Sequence, residues 1–116
     1  MATVLLIEPH ADSARSYAES LRRAGYRVEV TASEDTRQDL APNVVVIGVP
    51  HAERSLLRVV AHGRSVPRII LSSDEKDAGR ATELDCAAVL IRPVMYDDLV
   101  TEVRRVLKAS EARQPV

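Results

Sequence analysis

The sequence predicts an α/β domain in which a parallel sheet of five strands is covered by helices on both faces. Short apolar runs rich in Val and Ile alternate with segments of helical period, which is typical of this class. The chain has 116 residues, 46% of them hydrophobic and 28% charged, as in an ordinary globular domain. This length suits one domain with a single continuous core.

Five apolar runs are the predicted strands. Most are continuously apolar, as expected for strands buried on both faces. The second run, Arg27-Val28-Glu29-Val30, alternates between charged and apolar residues. This pattern predicts a strand at the sheet edge with one face exposed to solvent. In chain order the predicted strands are residues 4–7, 28–31, 44–47, 69–72 and 89–91.

The first and last helices have the clearest signals. The first has an N-cap at Asp12 or Ser13 and ends at Gly25. The last opens with Asp97 and Asp98, and its charges complement the helix dipole because it closes with the basic residues Arg104, Arg105 and Lys108.

Three further helices are predicted over residues 34–41, 54–62 and 75–84. The first of these has few apolar anchors, and Gly79 weakens the third. We expect residues 1–109 to form the domain and residues 110–116 to be a tail or the start of a linker.

Charge and cysteine content exclude several classes of function. The chain has 16 Lys and Arg against 17 Asp and Glu, spread along its length, which disfavours nucleic-acid binding. The single cysteine, Cys86, permits no internal disulfide and is expected to be a buried, inert thiol. The first apolar run stops at Glu8, and no run approaches the length of a membrane span. We therefore expect a soluble, cytoplasmic protein with no membrane partner.

The carboxyl ends of the strands are where an open α/β sheet places its working site. Right-handed crossovers bring these ends to one edge of the sheet. In chain order they carry Glu8-Pro9-His10, Gly48-Val49-Pro50-His51, Ser72-Ser73-Asp74 and Arg92-Pro93.

This arrangement resembles the receiver domain of bacterial response regulators, the CheY-like family. An acid closes the first strand, a hydroxyl the fourth, and a basic residue followed by proline the fifth. The resemblance covers nearly the whole chain and is most specific over residues 4–8, 21–26, 42–47 and 89–93. It implies a three-layer, flavodoxin-like (βα)5 sandwich with strand order 2-1-3-4-5.

The resemblance also implies where a phosphoryl group would be accepted. In that family an aspartate at the end of the third strand is the acceptor, beside a Mg²⁺ ion. The corresponding residue here is Gly48, which has no nucleophile. Pro9 replaces the second acid of the metal site, so that Glu8 and the carbonyl of Pro50 remain. Mg²⁺ prefers a full set of oxygen ligands, and this remnant is expected to bind it poorly.

Other family positions are partly kept. Ser72 matches the hydroxyl that contacts the phosphoryl group, and Arg92 stands where the family has lysine. Val89 replaces the switch aromatic. By resemblance, the bond between Arg92 and Pro93 is expected to be cis. The chain thus keeps the scaffold and loses the chemistry, which is the pattern of a pseudo-receiver.

Two side-chain arrangements stay open at this edge. Glu8 either pairs with Arg92 and Ser72 or is a solvated carboxylate at a strand end. His10 and His51 either form a His₂-carboxylate metal site with Glu8 or are two solvated imidazoles, and the second is the ordinary case because no metal motif is present.

These observations favour signalling by protein–protein interaction that does not depend on phosphorylation. We expect no enzymatic activity and no cofactor. The expected partner is another signalling protein or a second copy. By resemblance, the expected contact surface is formed by the fourth helix, fifth strand and fifth helix, with the candidate exposed residues Arg80, Glu83, Val94, Tyr96, Arg104 and Arg105.

Two alternatives remain from other classes. One is a module that holds an anion or a nucleotide in the notch above Gly48, lined by Glu8, His10, Ser72 and Arg92. The other is a true phosphorelay receiver with an atypical acceptor.

Overall fold

The computed structural model describes residues 2–31, 41–49, 60–61, 64–83 and 85–112. Two α-helices, a short 3₁₀ turn and seven strands occur within these ranges. In chain order they are β1 (Thr3–Ile7), α1 (Ala11–Arg23), β2 (Arg27–Thr31), β3 (Val44–Val49), β4 (Val60–Ala61), β5 (Arg64–Ser65), β6 (Arg68–Ser72), the 3₁₀ turn η1 (Glu75–Asp77), β7 (Ala88–Ile91) and α2 (Tyr96–Ala112).

The main sheet has five parallel strands in the order β2-β1-β3-β6-β7. Counted within this sheet, the order is 2-1-3-4-5, as predicted. The alternating strand, β2, lies at the edge, which confirms its assignment. The short strands β4 and β5 form a separate antiparallel pair.

Both faces of the central strands are buried. On one face, α1 and α2 pack over Val4, Leu6, Val46 and Leu71 and make the main apolar cluster. The alternate residues point to the other face, and they are buried too: Leu5, Ile7, Val45, Ile47 and Ile70. This burial explains why these strands have almost no polar residues.

Helix α1 begins two or three residues earlier than expected. Its N-cap is His10, whose Nδ1 accepts a hydrogen bond from the Ser13 N–H at 3.3 Å, so the predicted caps at Asp12 and Ser13 are wrong. Asp12 lies in the first turn, where an acid complements the dipole. The helix ends as predicted, because Gly25 takes a φ of +101° that glycine adopts without strain.

Helix α2 buries Leu99, Val103 and Val106 and has Asp97 and Asp98 in its first turn, as predicted. It continues to Ala112, which the expected domain limit at residue 109 did not include. The basic residues predicted to close the helix therefore lie before its last turn, which has no basic residue.

The predicted helix over 75–84 is wrong. Among the described residues 75–83 only η1 is helical, capped by the Asp74 side chain, which accepts from the Lys76 N–H at 3.0 Å. Gly79 and Asp85 both take positive φ, which a continuous helix does not permit.

The other two predicted helices lie largely outside the described residues, at 32–40 and 51–59. At their ends, Ala41 is not helical and Val60–Ala61 is a strand. Within the part of the chain that is described, no helix is long and apolar enough to cross a membrane.

Candidate functional site

The candidate site lies at the carboxyl ends of β1, β3 and β7. The parallel register pairs Leu6 with Val46 and Ile7 with Ile47, so the next step places Glu8 beside Gly48. Because side chains alternate along a strand, Glu8 lies on the same face as Leu6, under α1 and α2.

Glu8 and Arg92 form a close ion pair. Arg92 Nη2 donates to Glu8 Oε2 at 2.6 Å. The Arg92 side chain is 22% exposed, and the Glu8 side chain is 2% exposed. The other oxygen, Oε1, accepts a hydrogen bond from the His10 N–H at 3.2 Å. This confirms the predicted pairing of Glu8 with Arg92. A carboxylate this deeply buried needs such partners.

The ion pair fills the space in front of Gly48. A Cβ atom added at Gly48 overlaps Glu8 Oε2, lies 2.7 Å from Glu8 Cδ and 2.6 Å from Arg92 Nη2. Contacts of that length are repulsive, so even alanine does not fit here without movement of a buried side chain. The notch predicted above Gly48 is therefore occupied by the chain's own side chains.

Ser72 does not join this pair, contrary to the prediction. Its Oγ donates to Asp77 Oδ2 at 2.6 Å and accepts from the Asp74 N–H at 3.0 Å. The reason is strand alternation: Ser72 follows Ile70 on the opposite face of the sheet, whereas Glu8 follows Leu6 on the helical face.

A second polar cluster forms around Asp77, which is buried in η1. Arg80 Nη1 lies 2.8 Å from Asp77 Oδ1, and Arg80 Nε lies 3.0 Å from Glu83 Oε2. The hydrogen bond that Arg80 donates to Glu83 is the main reason that the pKa of Arg80 is raised. Sequence reasoning missed Asp77 because a helix over 75–84 would have left it on a solvated surface. Its spacing from Arg80 and Glu83 was the available signal.

Tyr17 of α1 lies close enough to the ion pair for both charges to affect its pKa. Burial raises the pKa of Tyr17 above its usual value of 10.0, Arg92 lowers it, and Glu8 raises it. The ring packs edge-on against Tyr96, with centroids 5.9 Å apart. Arg92 Nε is buried and has no hydrogen-bond partner in the described part of the chain.

The described residues at this edge of the sheet do not fit a magnesium site. Both oxygens of Glu8 are engaged, and Pro9, which replaces the second acid of the family, has no ligand to offer in its side chain. Pro50 and His51 lie outside the described residues. Within the described ranges no group of three or more His, Cys, Asp or Glu side chains is placed to hold a metal ion. His10 instead caps α1.

Two smaller predictions can be compared with the structure. The peptide bond between Arg92 and Pro93 is cis, as expected. Cys86 is half-buried rather than buried; its Sγ lies 3.5 Å from the Ala88 carbonyl oxygen, and burial raises the pKa of its thiol. A raised pKa lowers the fraction of reactive thiolate at neutral pH.

The predicted partner face divides between two sides of α2. Tyr96 packs on Tyr17 of α1, whereas Arg105 Nη2 lies 3.4 Å from the Ala87 carbonyl oxygen beside β7. These two residues are nine positions apart in α2, about half a turn out of phase, so they project from opposite sides of the helix. Arg105 also pairs with Glu102 at 2.9 Å, and Val94 is partly buried against the core.

Several solved structures similar to this chain are receiver domains. One is a response regulator receiver protein from Burkholderia phymatum, with 21% identity, a TM-score of 0.71 and coverage of 93% of this chain and 96% of that one. Another is a CheY-like receiver domain protein from Methanospirillum hungatei, with 13% identity, a TM-score of 0.76 and coverage of 98% and 99%. A third is the receiver domain of a Francisella response regulator, with 16% identity, a TM-score of 0.75 and coverage of 95% and 99%.

At these identities the likeness concerns the fold. The chain has the CheY-like receiver fold, built on a five-stranded parallel sheet. Neither a family model nor a curated protein matches the sequence.

Proposed function

We propose that this chain is a pseudo-receiver, which signals by binding another protein and does so without being phosphorylated. The observation that carries the proposal is the ion pair of Glu8 and Arg92 in front of Gly48. Residue 48 supplies no nucleophile, and the volume that an acceptor side chain would need is filled. The buried second face of the sheet supports the three-layer (βα)5 arrangement of a complete receiver.

The ion pair also supports a single, constitutive state. Phosphoryl transfer to a carboxylate requires metal and cationic donors that converge on one point. Here Arg92 forms an ion pair with Glu8, and the Ser72 hydroxyl donates a hydrogen bond to Asp77 on the other face of the sheet. In this proposal the domain has neither enzymatic activity nor a cofactor, and it acts only as a binding partner.

We assign partner binding to the side of α2 that faces β7. The residues predicted for this face include Arg105 on α2 and, in the segment after η1, Arg80 and Glu83; their charges have mixed signs, and each has an intramolecular partner close by. Mixed charges around a small apolar centre suit recognition by charge complementarity. The partner is another signalling protein or a second copy of this chain.

Mass spectrometry and sedimentation test this proposal together. The purified chain is incubated with Mg²⁺ and phosphoramidate, and its intact mass and oligomeric state are measured before and after. We expect no phosphoryl adduct and no change in association. Arg105→Glu is expected to weaken any self-association, whereas Arg23→Glu on α1 is the matched control.

Two other results would change this account. A phosphoryl adduct on the folded chain, or association that appears only after the donor is added, would overturn phosphorylation independence. A chain that stays monomeric at all concentrations would exclude the second copy and leave a different protein as the partner.

A further inference from the structure

A groove of about 320 Å³ lies between α1 and the edge strand β2, away from the side of α2 discussed above. Its apolar lining includes three alanines of α1, together with Val30 of β2, and two arginines of α1 border it: Ala11, Ala14, Ala18, Val30, Arg15 and Arg22. Because the alanines are small, the helix leaves open space above the strand.

The backbone of β2 has an open edge beside this groove. Arg27 N–H donates to the Ala2 carbonyl, and Glu8 N–H donates to the Thr31 carbonyl, so the odd-numbered residues of β2 pair with β1. Parallel pairing then turns the N–H and C=O groups of Val28 and Val30 away from β1. Arg22 Nη2 donates to the Val28 carbonyl at 2.9 Å, which is consistent with this direction. Among the described residues, no side chain donates a hydrogen bond to the Val30 carbonyl.

The side chain of Val30 is also exposed. It is 44% exposed, whereas Val28, two positions earlier on the same face, is 4% exposed under α1. A strand placed beside β2 would bury Val30 and direct alternate side chains toward the alanines of α1. An exposed apolar edge strand is a surface that proteins ordinarily cover or pair.

The charge of the groove selects the chemistry of its occupant. Three charged residues line it, Glu8, Arg15 and Arg22. Glu8 is neutralised by Arg92, and both of its oxygens are already engaged. Arg15 and Arg22 are exposed, so the rim is positive. A positive rim favours an acidic partner and disfavours a basic one.

We propose that the edge of β2 is a docking site for an extended, acidic segment of a partner protein, which adds to the sheet as a sixth strand. The backbone groups of Val30 would bond the segment, apolar side chains would enter the groove, and acidic side chains would meet Arg15 and Arg22. Strand addition of this kind obtains affinity from the main chain and specificity from alternate side chains. The site is separate from the proposed binding face on α2, so either can fail without the other.

Peptide arrays combined with NMR test this site. The probes are acetylated nine-residue peptides with Val at alternate positions and Glu, Ser or Lys between them. We expect the Glu peptide to bind most tightly, to shift the amide signals of Val30 and Ala18, and to weaken in high salt. Val30→Pro removes the outward N–H without the loss of a sheet hydrogen bond, and it is expected to abolish binding.

Charge variants provide the second arm. We expect Arg15→Glu to weaken binding of the Glu peptide about tenfold, which corresponds to about 1.4 kcal/mol. Arg23→Glu, on the same helix but outside the groove lining, is the control and is expected to bind as the natural chain does. Amide spectra of each variant verify the fold.

Several outcomes would overturn the proposal. These are no binding by the Glu peptide, equal binding by the Lys peptide, undiminished binding by a folded Val30→Pro variant, or shifts confined to residues far from β2. Concentration-dependent dimers that Val30→Pro dissociates would also overturn it, because the occupant would then be a second copy.

Discussion

The two polar clusters at the carboxyl edge of the sheet use their charges differently. On the helical face, Glu8 and Arg92 form a compact pair that is mostly buried. On the opposite face, Ser72, Asp77, Arg80 and Glu83 form a chain that runs from a fully buried hydroxyl to an exposed carboxylate. In the receiver family, as the resemblance implies, the acid, the hydroxyl and the basic residue converge on one phosphoryl group. Here they are divided between two separate networks, because Arg92 pairs with Glu8 and Ser72 bonds Asp77.

This difference predicts that removal of one partner of the buried pair costs more stability than removal of one member of the partly exposed chain. Removal of one partner of a buried pair leaves an uncompensated charge, whereas exposed pairs are screened by water. The following predictions are ordered from the largest expected effect to the smallest.

Arg92→Met should have the largest effect. It leaves the Glu8 carboxylate buried without its cation, and we expect a loss of about 3 kcal/mol in the free energy of unfolding. Urea denaturation measures this loss. The double variant Glu8→Leu/Arg92→Met should recover most of it, and Arg105→Met on the surface should change stability by less than about 0.5 kcal/mol. A single variant as stable as the natural chain would contradict a buried, functional pair.

Gly48→Ala should destabilise the domain by about 2 kcal/mol, since the added Cβ overlaps Glu8. The same change in a Glu8→Ala background should cost less, because the nearer of the two obstructing side chains is gone and the end of the Arg92 side chain can move. Thermal or urea unfolding of the four proteins in this cycle gives the coupling energy. Additive effects would mean that the space in front of Gly48 is not filled by Glu8.

Asp77→Ala should cost about 1–2 kcal/mol, because the buried Ser72 hydroxyl loses its acceptor. Ser72→Ala in the same background removes the unpaired hydroxyl and should restore part of the loss. Glu83→Ala, at the exposed end of the chain, should change stability little. Urea denaturation ranks the three, and a larger effect at Glu83 than at Asp77 would reverse the proposed order.

The smallest expected effect concerns Tyr17. Burial raises its pKa in the folded chain above the usual value of 10.0, so the folded state holds the phenolic proton more tightly than the unfolded state does. Stability should therefore be unaffected below pH 10.0 and should fall as the pH rises through the folded pKa. Tyr17→Phe should remove that part of the alkaline loss in urea denaturation at pH 9 to about 11. An unchanged pH profile would contradict the shift.

Much of this architecture could be predicted from the sequence. Apolar runs fixed the strands, the alternation in β2 indicated the edge, and Gly25 marked the end of α1, because each signal is local. The pairing of Glu8 with Arg92 could also be predicted, since both residues follow strands that end at one edge of the sheet and their charges are opposite.

Other features could not be predicted from local patterns. Residues 75–84 have helical composition, yet the hydrogen bond of Ser72 to Asp77 and the positive φ of Gly79 and Asp85 give a 3₁₀ turn and loops. The orientation of Ser72 depends on which face it occupies, and a strand-end position does not specify that. The N-cap at His10 was missed because a ring nitrogen is an uncommon substitute for Ser or Asp.

The central claim is that the pocket in front of Gly48 is closed by its own ion pair and does not respond to phosphorylation. The most direct test is an amide NMR titration with Mg²⁺ and then beryllium fluoride, a mimic of the phosphoryl group. A variant with the residues that the resemblance implies for a phosphorylated receiver, Glu8→Asp/Pro9→Asp/Gly48→Asp/Arg92→Lys, provides the comparison. We predict that Glu8, Gly48, Ser72 and Arg92 in the natural chain do not shift, whereas the folded variant responds. Saturable shifts at those four residues in the natural chain would contradict the claim.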